Sequence, residues 1–344
     1  MDKPMFLAPM AEITHRAFRE LINGFGGCDE YFSEMISAKG LLAGGPFEKW
    51  YIETGPSPEK LVFQLVGADC GSISRAAAFL DSLDCAGIDI NMGCSAPLIR
   101  KTGAGIGWMT SIDRAGELIS VVRPAVKRRL SVKLRIGFKD DFEYLAAFCR
   151  RLESEGIELI TLHPRTATEK FKRRARWDYV GRLKSELKIP VAGNGDISCA
   201  QELAGRASPG DDSCDAVMVG RAAVRQPWIF AEAKEILTEC TEDTENTEDT
   251  EDTEDTEKGE KYREALRELR EPLCPSCEET GIRFLELLAR YQPAEFHISR
   301  AMRFFGFFCD NLKWGHFVKN QLNREKTLSG MEKVWQKYFR ENEE

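Results

Sequence analysis

With 344 residues, the chain can build one domain of about 250 residues and a second, smaller one; 42% hydrophobic content is that of a globular protein. No apolar run nears the roughly 20 residues needed to span a bilayer, and Met1-Asp2-Lys3-Pro4 enters an apolar strand with no charged-then-apolar leader. These features predict a cytoplasmic protein with no membrane partner. The net charge of −8 is local: residues 241–257 carry ten acidic and no basic residues, leaving 46 acidic against 48 basic elsewhere, so an anionic partner is not excluded.

In chain order, the β-rich apolar runs are Met5–Ala8, Glu30–Ser33, Leu61–Leu65, Ala86–Ile90, Ser131–Leu134, Leu159–Leu162, Val191–Gly193 and Ala216–Val219. Helical patterns fall between them, as at Ser111–Lys127, Asp141–Glu155 and Ala200–Ala207. Eight such runs, most followed by a helix, predict an α/β fold of the (β/α)8 TIM-barrel type. A doubly wound nucleotide fold would place a G-x-G-x-x-G turn after the first strand, where Ala8-Pro9-Met10-Ala11 stands instead.

The barrel is expected over residues 1–240. The Thr-Glu-Asp repeat that follows cannot bury apolar surface, so 241–258 is read as a disordered acidic linker acting as a spacer. Residues 259–344 show helical periods at Tyr262–Glu271, Gly281–Tyr291, Ala294–Asn311 and Met331–Phe339, which predict a small helical domain. Eleven scattered cysteines read as reduced thiols. The one close pair, Cys274 and Cys277, lacks the further ligands a zinc site requires, so no metal is expected.

Chemistry concentrates where the strands end. Ala8-Pro9-Met10 follows the first run and Gln64 lies at the end of the third. The fourth leads to Asn91 and Cys94, and the fifth carries Lys133 and Arg135. His163 and Arg165 follow the sixth, Asn194-Gly195-Asp196 the seventh, and Gly220-Arg221 the eighth. In a parallel barrel these tips share one mouth, and the loops after strands seven and eight commonly bind phosphate. A phosphate site beside a cation, Lys133, that can stabilise an electron-rich ring points to a flavin mononucleotide, although a sugar-phosphate isomerase would share the phosphate site. Lys101-Thr102-Gly103-Ala104-Gly105, after Cys94, reads as a flexible segment able to close over a substrate.

Taken in order, Ala8-Pro9-Met10, Ser33-Glu34-Met35-Ile36-Ser37-Ala38-Lys39-Gly40, Gln64-Leu65-Val66-Gly67, Asn91-Met92-Gly93-Cys94, Val132-Lys133-Leu134-Arg135, His163-Pro164-Arg165-Thr166, Asn194-Gly195-Asp196, and Val219-Gly220-Arg221 with Pro227-Trp228 closely resemble the tRNA-dihydrouridine synthase family. The resemblance covers residues 5 to about 235. It implies FMN as cofactor, NADPH as reductant, and reduction of uridine in tRNA, with hydride passing from the flavin to uracil C6. By motif, Ala8, Pro9 and Met10 would line the flavin ring, Gln64 and Lys133 would hydrogen-bond it, and His163 would neighbour ring and uracil. Asn194, Gly195, Asp196, Gly220 and Arg221 would hold the phosphate end, Asn91 would seat the uracil, and Cys94 would donate the proton to C5. An ordinary thiol is mostly protonated at pH 7, as that role requires.

A target base inside folded tRNA must be extruded into the pocket, with phosphate contacts supplying affinity. Arg165 and the run Lys170, Lys172, Arg173, Arg174 and Arg176, interleaved with Phe171 and Trp177, form a plausible grip for the RNA. Arg300, Arg303, Lys313, Lys319, Arg324 and Lys326 form a second basic set, while Phe304, Phe305, Phe307 and Phe308 read as helix core. Glu12 and His15 stand where the family usually has Gly and Asp, Ser95 where it has Pro, and Pro164 where it has Gly. The competing readings are a dihydroorotate dehydrogenase-like barrel reducing a free pyrimidine and a tRNA-binding chaperone with a vestigial flavin site. No protein partner is evident, and a monomer is expected.

Overall fold

The computed structural model describes residues 1–169, 171–245 and 276–342. Nine parallel strands form the sheet: β1 (Met5–Leu7), β2 (Glu30–Phe32), β3 (Ile36–Ser37), β4 (Leu61–Val66), β5 (Gly87–Met92), β6 (Arg129–Gly137), β7 (Leu159–Thr166), β8 (Val191–Asn194) and β9 (Ala216–Val219). Their order is β2-β1-β9-β8-β7-β6-β5-β4-β3, and the β2–β4 pairing closes the barrel. β2 and β3 act as one broken strand: β2 pairs the first half of β4 (Tyr31 with Leu61) and β3 the second (Ile36 with Leu65). The barrel therefore has eight staves, as the alternation of β-runs and helices predicts.

Side chains alternate between the two faces of each strand. Phe6, Ala8, Phe32, Val62, Leu159, Ala192, Ala216 and Met218 form an apolar cluster separate from the main core, and they fill the barrel's interior. Their outward neighbours, such as Leu7, Phe63, Val132, Ile160 and Val217, pack beneath the helices. The interior is polar on one side. Gln64 lies in register with Asp89 and Asp89 with Ser131, while Asn91 lies in register with Lys133 and Lys133 with Thr161. At the opposite, N-terminal mouth, Arg129 donates two hydrogen bonds to Glu30 at 2.7 and 2.5 Å.

The helices begin where capping residues stand. Ser111 accepts from the N–H of Arg114 to start Ile112–Val122, and Asp141 accepts from Tyr144 to start Phe142–Ser154. The first of these stops short of the predicted Lys127. Pro124 follows it in a 3-10 turn and cannot extend the hydrogen-bond ladder. The last barrel helix, Ile229–Glu245, continues through the first five residues of the acidic run. The remainder of that run, the expected helix at Tyr262–Glu271 and Cys274 lie outside the described residues.

Among the described residues, four helices lie in the C-terminal part: Cys277–Tyr291, Ala294–Phe308, Gly315–Leu322 and Leu328–Glu341. The third has no counterpart in the sequence reading. It is only eight residues long and starts from Trp314, a non-glycine residue at φ 74°. These helices share the barrel's core: Phe284 stacks on Phe304 at 3.8 Å between ring centroids, and Phe18 of the first barrel helix lies 6.2 Å from Phe304. Trp335 is fully buried over Gly281, where a Cβ would fall 2.3 Å from the indole nitrogen. A buried ion pair adds to the junction, with Arg300 at 2.8 Å from Glu34 in the break between β2 and β3. Among the described residues, no helix is long and apolar enough to cross a membrane.

Candidate active site

At the C-terminal mouth of the barrel lies a cavity of about 580 Å³. It is lined by Ala8, Pro9 and Met10 after β1, Met35 after β2, and Asn91, Gly93 and Cys94 from β5 and its loop. Lys133 and Arg135 of β6, His163 and Arg165 of β7, Asn194, Gly195 and Asp196 after β8, and Gly220 and Arg221 after β9 complete most of the wall. Ten of the eleven residues expected at a cofactor thus converge on one space. Gln64 does not: it is fully buried, and both ends of its amide are hydrogen-bonded to β5, through Asp89 and Asn91.

Five lining cations (Lys133, Arg135, Arg165, Arg221 and Arg225) face two lining carboxylates, Asp196 and Asp310. Asp196 is already paired with Arg165 at 2.5 Å. Burial opposes ionisation of Asp196, but the hydrogen bonds from Arg165 and the Ala175 N–H outweigh it and hold the carboxyl below its ordinary range. Burial, reinforced by Arg135, lowers Lys133 to about 8, while Asp89 opposes the shift. Its ammonium donates to Asn194 Oδ1 at 2.9 Å, and Asn194 in turn donates to the Met218 carbonyl at 2.8 Å.

His163 is buried among cations, and both burial and the charges of Lys133, Arg135, Arg165 and Arg221 push its imidazole down to about 2. It is neutral at working pH. Arg165 stands 3.0 Å from its Nε2 and can only donate, so Nε2 accepts and the proton sits on Nδ1. Phe171 stacks over this ring at 6.1 Å and carries the guanidinium of Arg221 on its own ring at 4.1 Å.

Beyond β8 the chain turns at Gly195, φ 132°, where a Cβ would lie 3.2 Å from the His163 ring. Trp177 closes the turn from behind by donating to the Gly195 carbonyl at 3.0 Å. The loop carrying Cys94 is fixed at two points. Asn91 Oδ1 accepts from the N–H groups of Gly93 at 3.1 Å and Cys94 at 2.8 Å, and the Cys94 carbonyl accepts from Ile106 at 3.0 Å. Gly105 packs against the Cys94 backbone, where any Cβ would lie only 2.5 Å from the Cys94 carbonyl oxygen. The glycine-rich segment expected to close over a substrate is therefore a support for the Cys94 loop, and it does not line the cavity.

The basic run after β7 divides. Arg165 is buried, bonded to His163, Asp196 and the Arg173 carbonyl, and serves the cavity wall. Arg176 donates to both oxygens of Glu169 at 2.9 and 2.6 Å, which holds that carboxyl down at about 2, and it also reaches Asp140 at 3.1 Å. Neither guanidinium is presented to solvent as a free phosphate ligand. Lys172, Arg173 and Arg174 are exposed, and Lys170 lies outside the described residues. In the C-terminal part Arg300 is buried and Arg303 pairs with Glu12, whereas Lys313, Arg324 and Lys326 are exposed. Phe304, Phe305 and Phe308 are core as expected, but Phe307 lines the cavity with Asp310.

Sequence reasoning placed Phe171 in the RNA grip and Phe307 in the helix core, and assigned no role to Asp310 or the buried Asp89. Only Asp89 carried a local signal, as a carboxylate within an otherwise apolar run. Glu12 also gains an explanation. Its φ of 62° is a conformation that glycine adopts freely, consistent with the family's usual glycine there.

Fold and site together define a (β/α)8 barrel with a cationic, thiol-bearing cavity at its catalytic mouth. The sequence model described as Dihydrouridine synthase (Dus) matches residues 6–271, and the chain belongs to that family. It is 34% identical over 237 residues to a probable tRNA-dihydrouridine synthase of Aquifex aeolicus, covering 67% of this chain and 72% of that one. It is 32% identical over 235 residues to a tRNA-dihydrouridine(16) synthase of Ralstonia nicotianae, covering 65% and 71%. A 2-naphthoyl-CoA reductase in complex with 2-naphthoyl-CoA shares the fold with a TM-score of 0.52 at 12% identity, over 67% of this chain and 50% of that one.

Proposed function

We propose that this protein is an FMN-dependent tRNA-dihydrouridine synthase, reduced by NADPH and acting as a cytoplasmic monomer. The observation that carries the reading is the meeting of Cys94, Lys133 and His163 in one cationic cavity of a dihydrouridine synthase-family barrel. The residues present fit a flavin mononucleotide. Ala8, Pro9 and Met10 offer an apolar wall, glycines stand at both turns after β8 and β9, and the lining's surplus of cations suits a phosphate.

When bound, the flavin supplies a hydride to C6 of the uracil. The protein's own residues do the rest. Asn194, Gly195, Gly220 and Arg221 hold the phosphate end, and Lys133, tied to Asn194, presents its ammonium to the ring. His163, neutral with Nδ1 protonated, donates to a carbonyl without carrying charge into the site. Asn91 lies at the cavity wall beside the uracil. The half-buried Cys94 thiol delivers the proton to C5, completing saturation of the C5–C6 bond. The exposed Lys172, Arg173 and Arg174 on the loop after β7 contact phosphates as the base is extruded.

The test is an absorbance spectrum of the purified protein, followed by NADPH and unmodified tRNA. A yellow flavoprotein that bleaches with NADPH and forms dihydrouridine in the RNA is the expected result. A colourless protein that FMN does not reconstitute overturns the cofactor assignment. Reduction of free pyrimidines without RNA overturns the substrate.

A further inference from the structure

Inside the barrel, a chain of hydrogen bonds runs from the Cys94 loop to a buried carboxylate. The N–H groups of Gly93 and Cys94 donate to Asn91 Oδ1, and Asn91 Nδ2 donates to Gln64 Oε1 at 2.9 Å. Gln64 Nε2 donates to Asp89 Oδ2 at 2.7 Å, while the Ser131 hydroxyl donates to Asp89 Oδ1 at 2.7 Å. Asp89 and Gln64 are fully buried.

The direction of this chain is forced at both ends. Backbone N–H groups only donate; the Asp89 carboxyl, pushed up to about 6 by burial against the hydrogen bonds from Gln64 and Ser131, is ionised at neutral pH and only accepts, so the two amides between them have a single consistent orientation. Turning Gln64 over would set its carbonyl against the carboxylate. Turning Asn91 over would set its NH2 against two N–H groups. Either leaves buried polar atoms unpaired, at a cost of about 1–3 kcal/mol each.

We propose that Asp89 is a positioning residue of the reaction: acting through Gln64 and Asn91, it fixes the backbone of Gly93 and Cys94 and hence where the Cys94 thiol meets the substrate. This rests on the reading of Cys94 as the proton donor.

Three variants separate this role from simple packing. Asp89→Ala and Gln64→Met cut the chain at successive links. Asp89→Asn keeps an acceptor for Gln64, because its new NH2 can face Ser131 Oγ while that hydroxyl turns toward the Ile88 carbonyl 3.5 Å away. The first readout needs no turnover: hydrogen exchange at the Gly93 and Cys94 amides, which should be protected in the unaltered protein by their bonds to Asn91. Exchange should accelerate at least about tenfold in Asp89→Ala and in Gln64→Met, and stay near the original rate in Asp89→Asn.

The second readout is kcat at pH 7, above the Asp89 value and below that of Lys133, so that carboxylate and ammonium are both charged. Measured per bound flavin, it should fall about 10- to 100-fold in the two cutting variants, with KM for tRNA little changed. Asp89→Asn should restore it. The double variant should be no slower than the worse single one, since both cut the same chain. If Asp89→Ala does not fold, Gln64→Met carries the same comparison, and fast exchange of both amides in the unaltered protein overturns the proposal by itself. Unchanged exchange in the cutting variants, or losses that multiply in the double variant, also overturn it. If no dihydrouridine forms in any variant but the exchange pattern holds, it is the functional reading that has failed.

Discussion

Replacing Arg300 with Met tests how the helical part is held to the barrel mouth. Arg300 and Glu34 are 2% and 3% exposed at the side chain, and their atoms approach to 2.8 Å. Arg300 also bonds Gln292 Oε1, while Glu34 keeps a second donor, the Glu12 N–H at 2.8 Å. Removing the guanidinium strands a buried carboxylate, and breaking such a pair costs about 3–5 kcal/mol. The cost must depend on pH. Burial already raises the Glu34 carboxyl above its ordinary value against the opposing pull of Arg300, and losing Arg300 raises it further.

A carboxyl raised in the folded state binds its proton more tightly there than in the unfolded chain. Stability then falls as pH climbs from the unfolded pKa toward the folded one, by up to about 1.4 kcal/mol per unit. Urea unfolding should therefore show the full penalty of Arg300→Met at pH 8 and a clearly smaller one at pH 5. Adding Glu34→Gln, which removes the stranded charge and keeps an acceptor for Glu12, should recover at least half of it at pH 8. A penalty below about 1 kcal/mol, or one equal at both pH values and untouched by Glu34→Gln, refutes the reasoning.

Cys94→Ala should lower the rate of dihydrouridine formation by about 10²- to 10⁴-fold while the protein keeps its flavin; turnover within tenfold of the original removes Cys94 from the acid role. Gly195→Ala places a Cβ 3.2 Å from His163 at a φ of 132°, so flavin retention should weaken and stability drop by about 1–3 kcal/mol in a denaturant titration. Lys172→Ala with Arg174→Ala should weaken tRNA binding and flatten its salt dependence by about two counterions, whereas Arg176→Ala should cost stability more than its share of RNA affinity. Trp335→Ala, emptying a fully buried site above Gly281, should cost about 3–5 kcal/mol in the same unfolding assay.

The sequence alone determined the barrel and the composition of its mouth. Strand and helix periods are local, so all eight staves and helices such as Ile112–Val122, Phe142–Ser154 and Ala200–Ala207 could be read from them, with N-caps such as Ser111 and Asp141 marking starts. In a parallel barrel every strand's C-terminal tip shares one rim, so residues as distant as Met10 and Arg221 could be assigned to a common cavity before any coordinates. Family motifs carried the remaining expectations about chemistry.

What only tertiary structure decided is which polar side chains are spent on one another. Arg300 meets Glu34 across 266 residues, and no local pattern records that contact. Arg165 and Arg176 sit in a run that reads as a solvated RNA grip, yet Asp196 of the loop after β8 takes up Arg165, and Asp140 of the loop after β6 joins Glu169 of the same run on Arg176. Gln64 stands at a strand tip like the other site residues, but strand register places it beside Asp89 and takes up its amide. Phe307 belongs to a helix whose other phenylalanines are core, and only the way that helix crosses the barrel mouth turns it to the cavity. Periodicity says which face of an element is buried. The partner that each buried charge or amide finds depends on how the elements pack, because an unpaired group inside the barrel is too costly to leave.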